Sequence, residues 1–134
     1  MSVVAGGALR LSEVRARAAG ALAPLDDSDP DVLMNIVDAA EPPCLMLLYD
    51  DPWLEARTMG CIWQCKLEIL ALASRVEPGP GVEKLEELVA FTMARLQADA
   101  YAWAPSTVSA PRVFTVGGVP LLGARLVYDV RITL

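Results

Sequence analysis

The chain has 134 residues, of which 54% are hydrophobic, with 11 basic and 17 acidic side chains, no histidine and three cysteines. A formal net charge of −6, and no lysine beyond Lys66 and Lys84, excludes the dense positive field that high affinity for nucleic-acid phosphates requires. No apolar run approaches the roughly 20 residues that span a bilayer, so no membrane partner is expected.

The length fits a single domain, residues 1–134, with residues 1–8 small and expected to be flexible. The amino terminus shows no charged and apolar secretory pattern, so the cysteines are expected to be reduced thiols of a protein made in a cytoplasm. Mean hydropathy is +0.41. A well-filled core is one account of that value; apolar surface that meets other protein chains is the favoured one.

In chain order, Leu11, Val14, Ala18, Ala21, Leu22 and Leu25 recur at helical spacing and predict an amphipathic helix over about 9–22, with Ser12 as its cap. Arg10, Glu13 and Arg17 fall off its apolar stripe. Residues 23–31, rich in proline and aspartate, read as a loop. Residues 32–37 are too short for periodicity to decide, and an extended segment is favoured. Pro42 and Pro43 precede Cys44–Tyr49, which is apolar at every position. That pattern suits a strand covered on both faces. Residues 50–57 read as an exposed turn.

Alternation is cleanest over 60–74. Cys61, Trp63, Cys65, Leu67, Ile69, Ala71 and Ala73 share one face, and Gln64, Lys66 and Glu68 the other. About twelve residues of this strand would run about 40 Å, more than a small core needs, so part of it is expected to project or to pair with a neighbouring subunit. Residues 77–81 read as a stiff connector. A helix follows over 82–98, with glutamates early and Arg95 late, as the helix dipole favours. Residues 99–111 read as a loop with Tyr101, Trp103 and Pro105. Arg112–Val116 reads as a strand, Gly117-Gly118 as a hairpin turn, and the remainder as a strand that puts Arg125, Asp129 and Arg131 on one face. If that strand neighbours the one over 60–74, Lys66 and Glu68 would pair with Asp129 and Arg131. The expected fold is α+β: a small mixed or antiparallel sheet of about four strands packed against two helices.

The chemistry of catalysis is sparse. Without histidine, the usual general base and the Ser-His-Asp and Cys-His arrangements are missing. Cys61 and Cys65 would lie ~13 Å apart along one strand, too far to share a zinc ion or a disulfide, so both read as core. Asp27, Asp29 and Asp31 open like a calcium loop, but Val32 stands where such a loop needs glycine, so a solvated loop is favoured. Gly117, Gly118 and Gly123 do not form a dinucleotide motif, and Pro78 and Pro80 remove donors from any phosphate cradle beside Gly79 and Gly81. No catalytic, cofactor or metal residue is expected. The candidate protein interface is Asp50, Asp51, Trp53, Glu55 and Arg57, which combine an aromatic, an arginine and acids; Trp53 folded back on the sheet edge is the alternative.

Pro42-Pro43 before an apolar strand, Asp51-Pro52-Trp53-Leu54, the alternating Trp63-to-Ala73 strand, the amphipathic helix and the Gly117-Gly118 hairpin resemble, in that order, the tail-terminator proteins of long-tailed bacteriophages, especially those infecting actinobacteria. The resemblance runs from about Pro42 to the end. It departs at Pro120-Leu121-Leu122, where relatives often carry an aromatic. It implies a non-enzymatic virion protein at the neck, forming a ring, usually of six subunits, on the head-proximal end of the tail tube. That ring would stop tube polymerisation and join the tail to the head connector, with double-stranded DNA passing through its lumen unbound. Its partners would be further copies of itself, the tail tube protein and the connector or stopper protein. A stopper, expected to be a mostly β barrel with little helix, a mostly helical adaptor, and a small ligand-binding or enzyme subunit are the alternatives.

Overall fold

The three longest alternating or apolar segments of the sequence become three long neighbouring strands, and the rest of the chain is arranged around them. The computed structural model describes residues 8–34, 41–56, 62–76 and 81–133. In chain order these form strand β1 (Leu9–Arg10), a 3-10 turn (Leu11–Glu13), helix α1 (Val14–Leu22), strands β2 (Asp31–Leu33), β3 (Cys44–Ala56) and β4 (Ile62–Arg75), helix α2 (Gly81–Ala98), and strands β5 (Ala104–Val108), β6 (Arg112–Val116) and β7 (Val119–Thr133). The expected flexibility of residues 1–7, the reading of 35–37, the connector at 77–80, and Arg57, Gly60 and Cys61 lie outside the described residues.

Strands occupy 51% of the described chain, as one seven-stranded sheet curled into a half-barrel with two helices. This corrects the expectation of an α+β fold with about four strands. Three short strands carry too few residues to show a period, and one of them, β5, contains Pro105. The order is β1-β7-β4-β3-β2, with β5 and β6 also hydrogen-bonded to β7. β4 runs antiparallel to both β3 and β7, and β2 runs parallel to β3. The edge of β7 away from β4 is shared end to end by β6, β5 and β1. Between β5 and β6, Ser109 continues the ladder: its N–H donates to the Arg125 carbonyl at 2.8 Å, and its hydroxyl accepts from the Arg125 N–H at 2.9 Å. Gly117 (φ 58°) and Gly118 (φ 79°) both take the left-handed conformation that a two-residue hairpin turn between β6 and β7 demands.

The helices cover one face of the sheet. Val14, Ala18 and Leu22 of α1 and Leu85, Leu88 and Leu96 of α2 are buried against Leu45, Leu47, Leu67, Ile69, Leu126 and Val130. Each such leucine or isoleucine contributes about 1.5–3 kcal/mol. Two details of the first helical segment differ from the sequence reading. It becomes helical at Val14 rather than Leu9, because Leu9 and Arg10 pair with Ile132 and Thr133, and no side chain caps it. Leu25, placed on the stripe by its spacing, is 81% exposed because the helix ends at Leu22.

The opposite face carries its apolar cluster at one end. Cys44, Met46, Leu70, Leu72 and Leu121 form a second cluster, with Phe114 packed against it. Gly123 marks where β7 crosses tightly beside β4: a Cβ there would lie 2.5 Å from the Ala71 carbonyl oxygen. A register shift follows between Leu72 and Ser74. That irregularity brings Ser74 opposite Leu122 and close to Gly81 at the start of α2.

Candidate protein interface

Alternation along β3 is interrupted between Tyr49 and Leu54, where the register with β4 shifts. Asp50, Asp51, Pro52 and Trp53 lie in that irregularity, inside the strand rather than on a turn; proline and paired acids hid the strand, since both are rare in one. The irregularity sends the candidate residues to different faces. Asp50 and Glu55 turn to the face away from the helices, and Trp53 joins the helix side. Asp51 is exposed. The five positions therefore do not converge on one surface, and Arg57 is not among the described residues.

On the face away from the helices, a band of charges continues where the apolar cluster stops. Arg125 of β7 donates to Glu68 of β4 at 2.6 Å and to Asp50 of β3 at 2.7 Å, so one guanidinium ties three strands. Its hydrogen bonding to Glu68, with the charges of Glu68 and Asp50 beside it, raises its pKa further. One step along, Lys66 lies 3.6 Å from Asp129, its cross-strand neighbour, and 3.9 Å from Glu55. Asp129 Oδ1 is buried without a hydrogen bond, and the nearby ammonium is its compensation. The Lys66–Asp129 pairing matches the sequence expectation. The Glu68–Arg131 pairing does not: Glu68 stands opposite Val127, and Arg125, two residues further along β7, reaches it instead.

On the helix side, Trp53 stacks on Tyr49 with ring centroids 5.0 Å apart, yet remains 45% exposed. It thus packs on the sheet and presents a free face. The Arg15 guanidinium lies 5.5 Å from the Tyr49 ring centre and donates to the Met34 carbonyl. Arg10, Arg15, Met34, Tyr49 and Trp53 line a groove of about 850 Å³. Among the described residues lining it none is acidic. Sequence reasoning missed both arginines as groove residues: Arg10 read as the solvated side of a helix, and Arg15 carried no signal. The pairing of β1 with the end of β7 places Arg10, and α1 packing on the sheet sets Arg15 over Tyr49 of β3.

Other charged groups fasten elements together. Asp99, after α2, accepts from the Trp103 indole at 2.8 Å and from Arg17 of α1 at 3.2 Å. Burial pushes its carboxyl pKa up, but these hydrogen bonds outweigh burial and hold it below the usual value. Arg95 of α2 donates to Asp29 at 2.8 Å and to the Ala23 carbonyl at 3.0 Å, pinning the acidic loop. That loop is therefore structured rather than simply solvated, and Asp27, Asp29 and Asp31 do not gather into a metal-holding group. Burial pushes the thiols of Cys44 and Cys65 up to about 11. A second cavity, about 550 Å³, lies between α2 and the end of β4, lined by Ser74, Arg75, Lys84 and Phe91 among others. Among the described residues no helix is long and apolar enough to cross a membrane.

Compared with known proteins, the chain matches no family model and no curated protein.

Proposed function

We propose that this chain is a structural subunit of a phage virion, forming a ring, of six copies by the resemblance, at the head-proximal end of the tail tube, where it ends tube growth and joins the tail to the head connector. The observation that carries the reading is the ordered set of segments from Pro42 to the Gly117-Gly118 hairpin, which matches the tail-terminator pattern along most of the chain. Support comes from a sheet edge left open beside the long strands, along the short strands β5 and β6. All of β5 is exposed, as is most of β6, and Val113 of β6 is 55% exposed. Such an edge offers unpaired backbone groups to a neighbouring chain. The net charge of −6 suits a lumen through which DNA slides without sticking.

One observation favours a second reading. The predominance of strand meets part of the architecture expected of a stopper at the same head–tail joint, although α1 and α2 add more helix than that expectation allows. Electron microscopy of lysates from phage lacking the gene separates the two. Overlong tail tubes beside full, unjoined heads support the terminator. Tails of normal length that fail to join heads support the stopper, and infectious virions of normal form refute both.

A further inference from the structure

Leu25 is the most exposed large apolar side chain among the described residues, and it is held in place rather than loose. Its N–H donates to the Asp29 carboxylate at 2.8 Å, and Arg95 anchors that carboxylate to α2. Asp26 accepts from the Ser28 N–H at 2.8 Å, closing the turn. The result is a rigid acidic knob, with Leu25 at its tip and Asp26 and Asp27 exposed beside it. Presenting an apolar anchor in a fixed conformation lowers the ordering cost of binding.

The groove of Arg10, Arg15, Tyr49 and Trp53 has the complementary character: aromatic, open and lined by two arginines. Neither arginine forms an ion pair among the described residues. The Glu13 carboxylate is engaged elsewhere, accepting from the Arg10 backbone N–H at 3.2 Å. In a chain of net charge −6 an arginine–aromatic groove is unusual. The knob cannot fill the groove of its own chain, because the two lie at opposite ends of α1. That helix has nine residues and is therefore about 14 Å long.

We propose that the Leu25 knob of one copy docks in the Arg10–Arg15–Tyr49–Trp53 groove of a second copy, a head-to-tail contact between identical chains. Leu25 lies against Trp53 and Tyr49, and Asp26 and Asp27 face Arg10 and Arg15. A contact that uses two different patches leaves one knob and one groove unused in every pair, so it propagates and closes into a ring when the rotation between copies permits. As the subunit contact of the ring it rests on the reading above; as a contact between two copies it is measured on the purified chain alone, away from any phage.

The test is sedimentation velocity of the full chain over a range of concentrations, with four variants whose melting temperatures are checked first. The expected result is concentration-dependent association of the wild type. Leu25→Ala and the single charge reversals Arg10→Glu and Asp27→Arg should each weaken it about tenfold or more. Arg10→Glu mixed with Asp27→Arg should associate better than either alone, because the reversed knob meets the reversed groove. Added salt should weaken the wild-type contact. Glu86→Gln, on the exposed side of α2, should associate as wild type does. A wild type that stays monomeric throughout, variants that associate like wild type, or a mixture no better than its components overturns the contact. So does a groove that takes an acidic peptide of another protein while the chain itself stays monomeric. None of these outcomes bears on tail length in the deletion phage, and normal tails there leave the contact standing.

Discussion

On the helix-covered face, Leu45, Leu67, Ile69, Leu126 and Ile132 form one continuous apolar surface beneath α1 and α2. The other face carries its apolar cluster around Leu70, Leu72 and Leu121, then gives way to Asp50, Glu68 and Arg125 and to Lys66, Glu55 and Asp129. The same three strands build both, yet the two faces hold the sheet by different physics. Dry packing resists any loss of volume, and the cost appears as global stability. A half-exposed ionic band fixes geometry, aligning β3, β4 and β7, but contributes little net energy per pair in contact with water.

That contrast breaks most visibly at the centre of the covered face. Leu126→Ala should lower unfolding free energy by about 2–5 kcal/mol in urea titration. A loss under about 1 kcal/mol would mean that the covered face is not the dominant core. Gly123→Ala probes the crossing of β7 and β4. Its new methyl group meets the Ala71 carbonyl, so a loss of about 1–3 kcal/mol is expected from the strain of overpacking, read in the same titration. On the charged band, Arg125→Leu should cost about 1–2 kcal/mol, since Asp50 and Glu68 lose their shared partner while keeping some contact with water. Replacing Glu68 by Gln and Asp50 by Asn in that background should recover much of the loss.

Acid sharpens the comparison by acting on a charged fastening rather than on packing. The folded-state pKa of Asp99 lies below its unfolded value of about 3.9. Its contribution is therefore complete above the unfolded pKa and is lost as pH falls through the folded one. The gap in melting temperature between wild type and Asp99→Asn should be constant near neutrality and close below about pH 4. A gap that persisted at pH 2 would assign the loss to packing instead. The smallest perturbation uses the two thiols among the described residues, in a Cys61→Ser background: Cys65 beneath the helices and Cys44 in the opposite cluster. Both should resist alkylation at pH 8, being buried and largely protonated. In sub-denaturing urea, labelling at Cys44 before Cys65 would identify the face away from the helices as the one that opens first.

The facing of the longest strands was legible, although the architecture of the sheet was not. Alternation over Trp63–Ala73 and Leu122–Ile132 placed the same residues on the buried face that the structure buries there, and it paired Lys66 with Asp129. The helix over Gly81–Ala98 was legible from its stripe and its charges. The extended reading of residues 32–37 holds for Val32 and Leu33. Asp51-Pro52 concealed the middle of β3, because a register shift lets a strand carry residues that regular strands avoid. β5 stayed hidden for a related reason: at a sheet edge, Pro105 gives up no hydrogen bond that the sheet requires.

The candidate interface divides in the same way. Of the two readings of Trp53, exposed or folded back on the sheet, the structure combines both, and its neighbours in sequence are not its neighbours on that surface. Asp50 and Glu55 went to the other face, and Arg10 and Arg15, from the far end of the chain, took their place. The sequence by itself determined which residues of β4, β7 and α2 face the covered core, because that facing follows a local period of two or 3.6. Tertiary structure alone decided how many strands the sheet has, that Leu25 is exposed, and that two arginines line one groove with Trp53. Each of those depends on where short segments end and on which distant edge they pair with, and no local period records either.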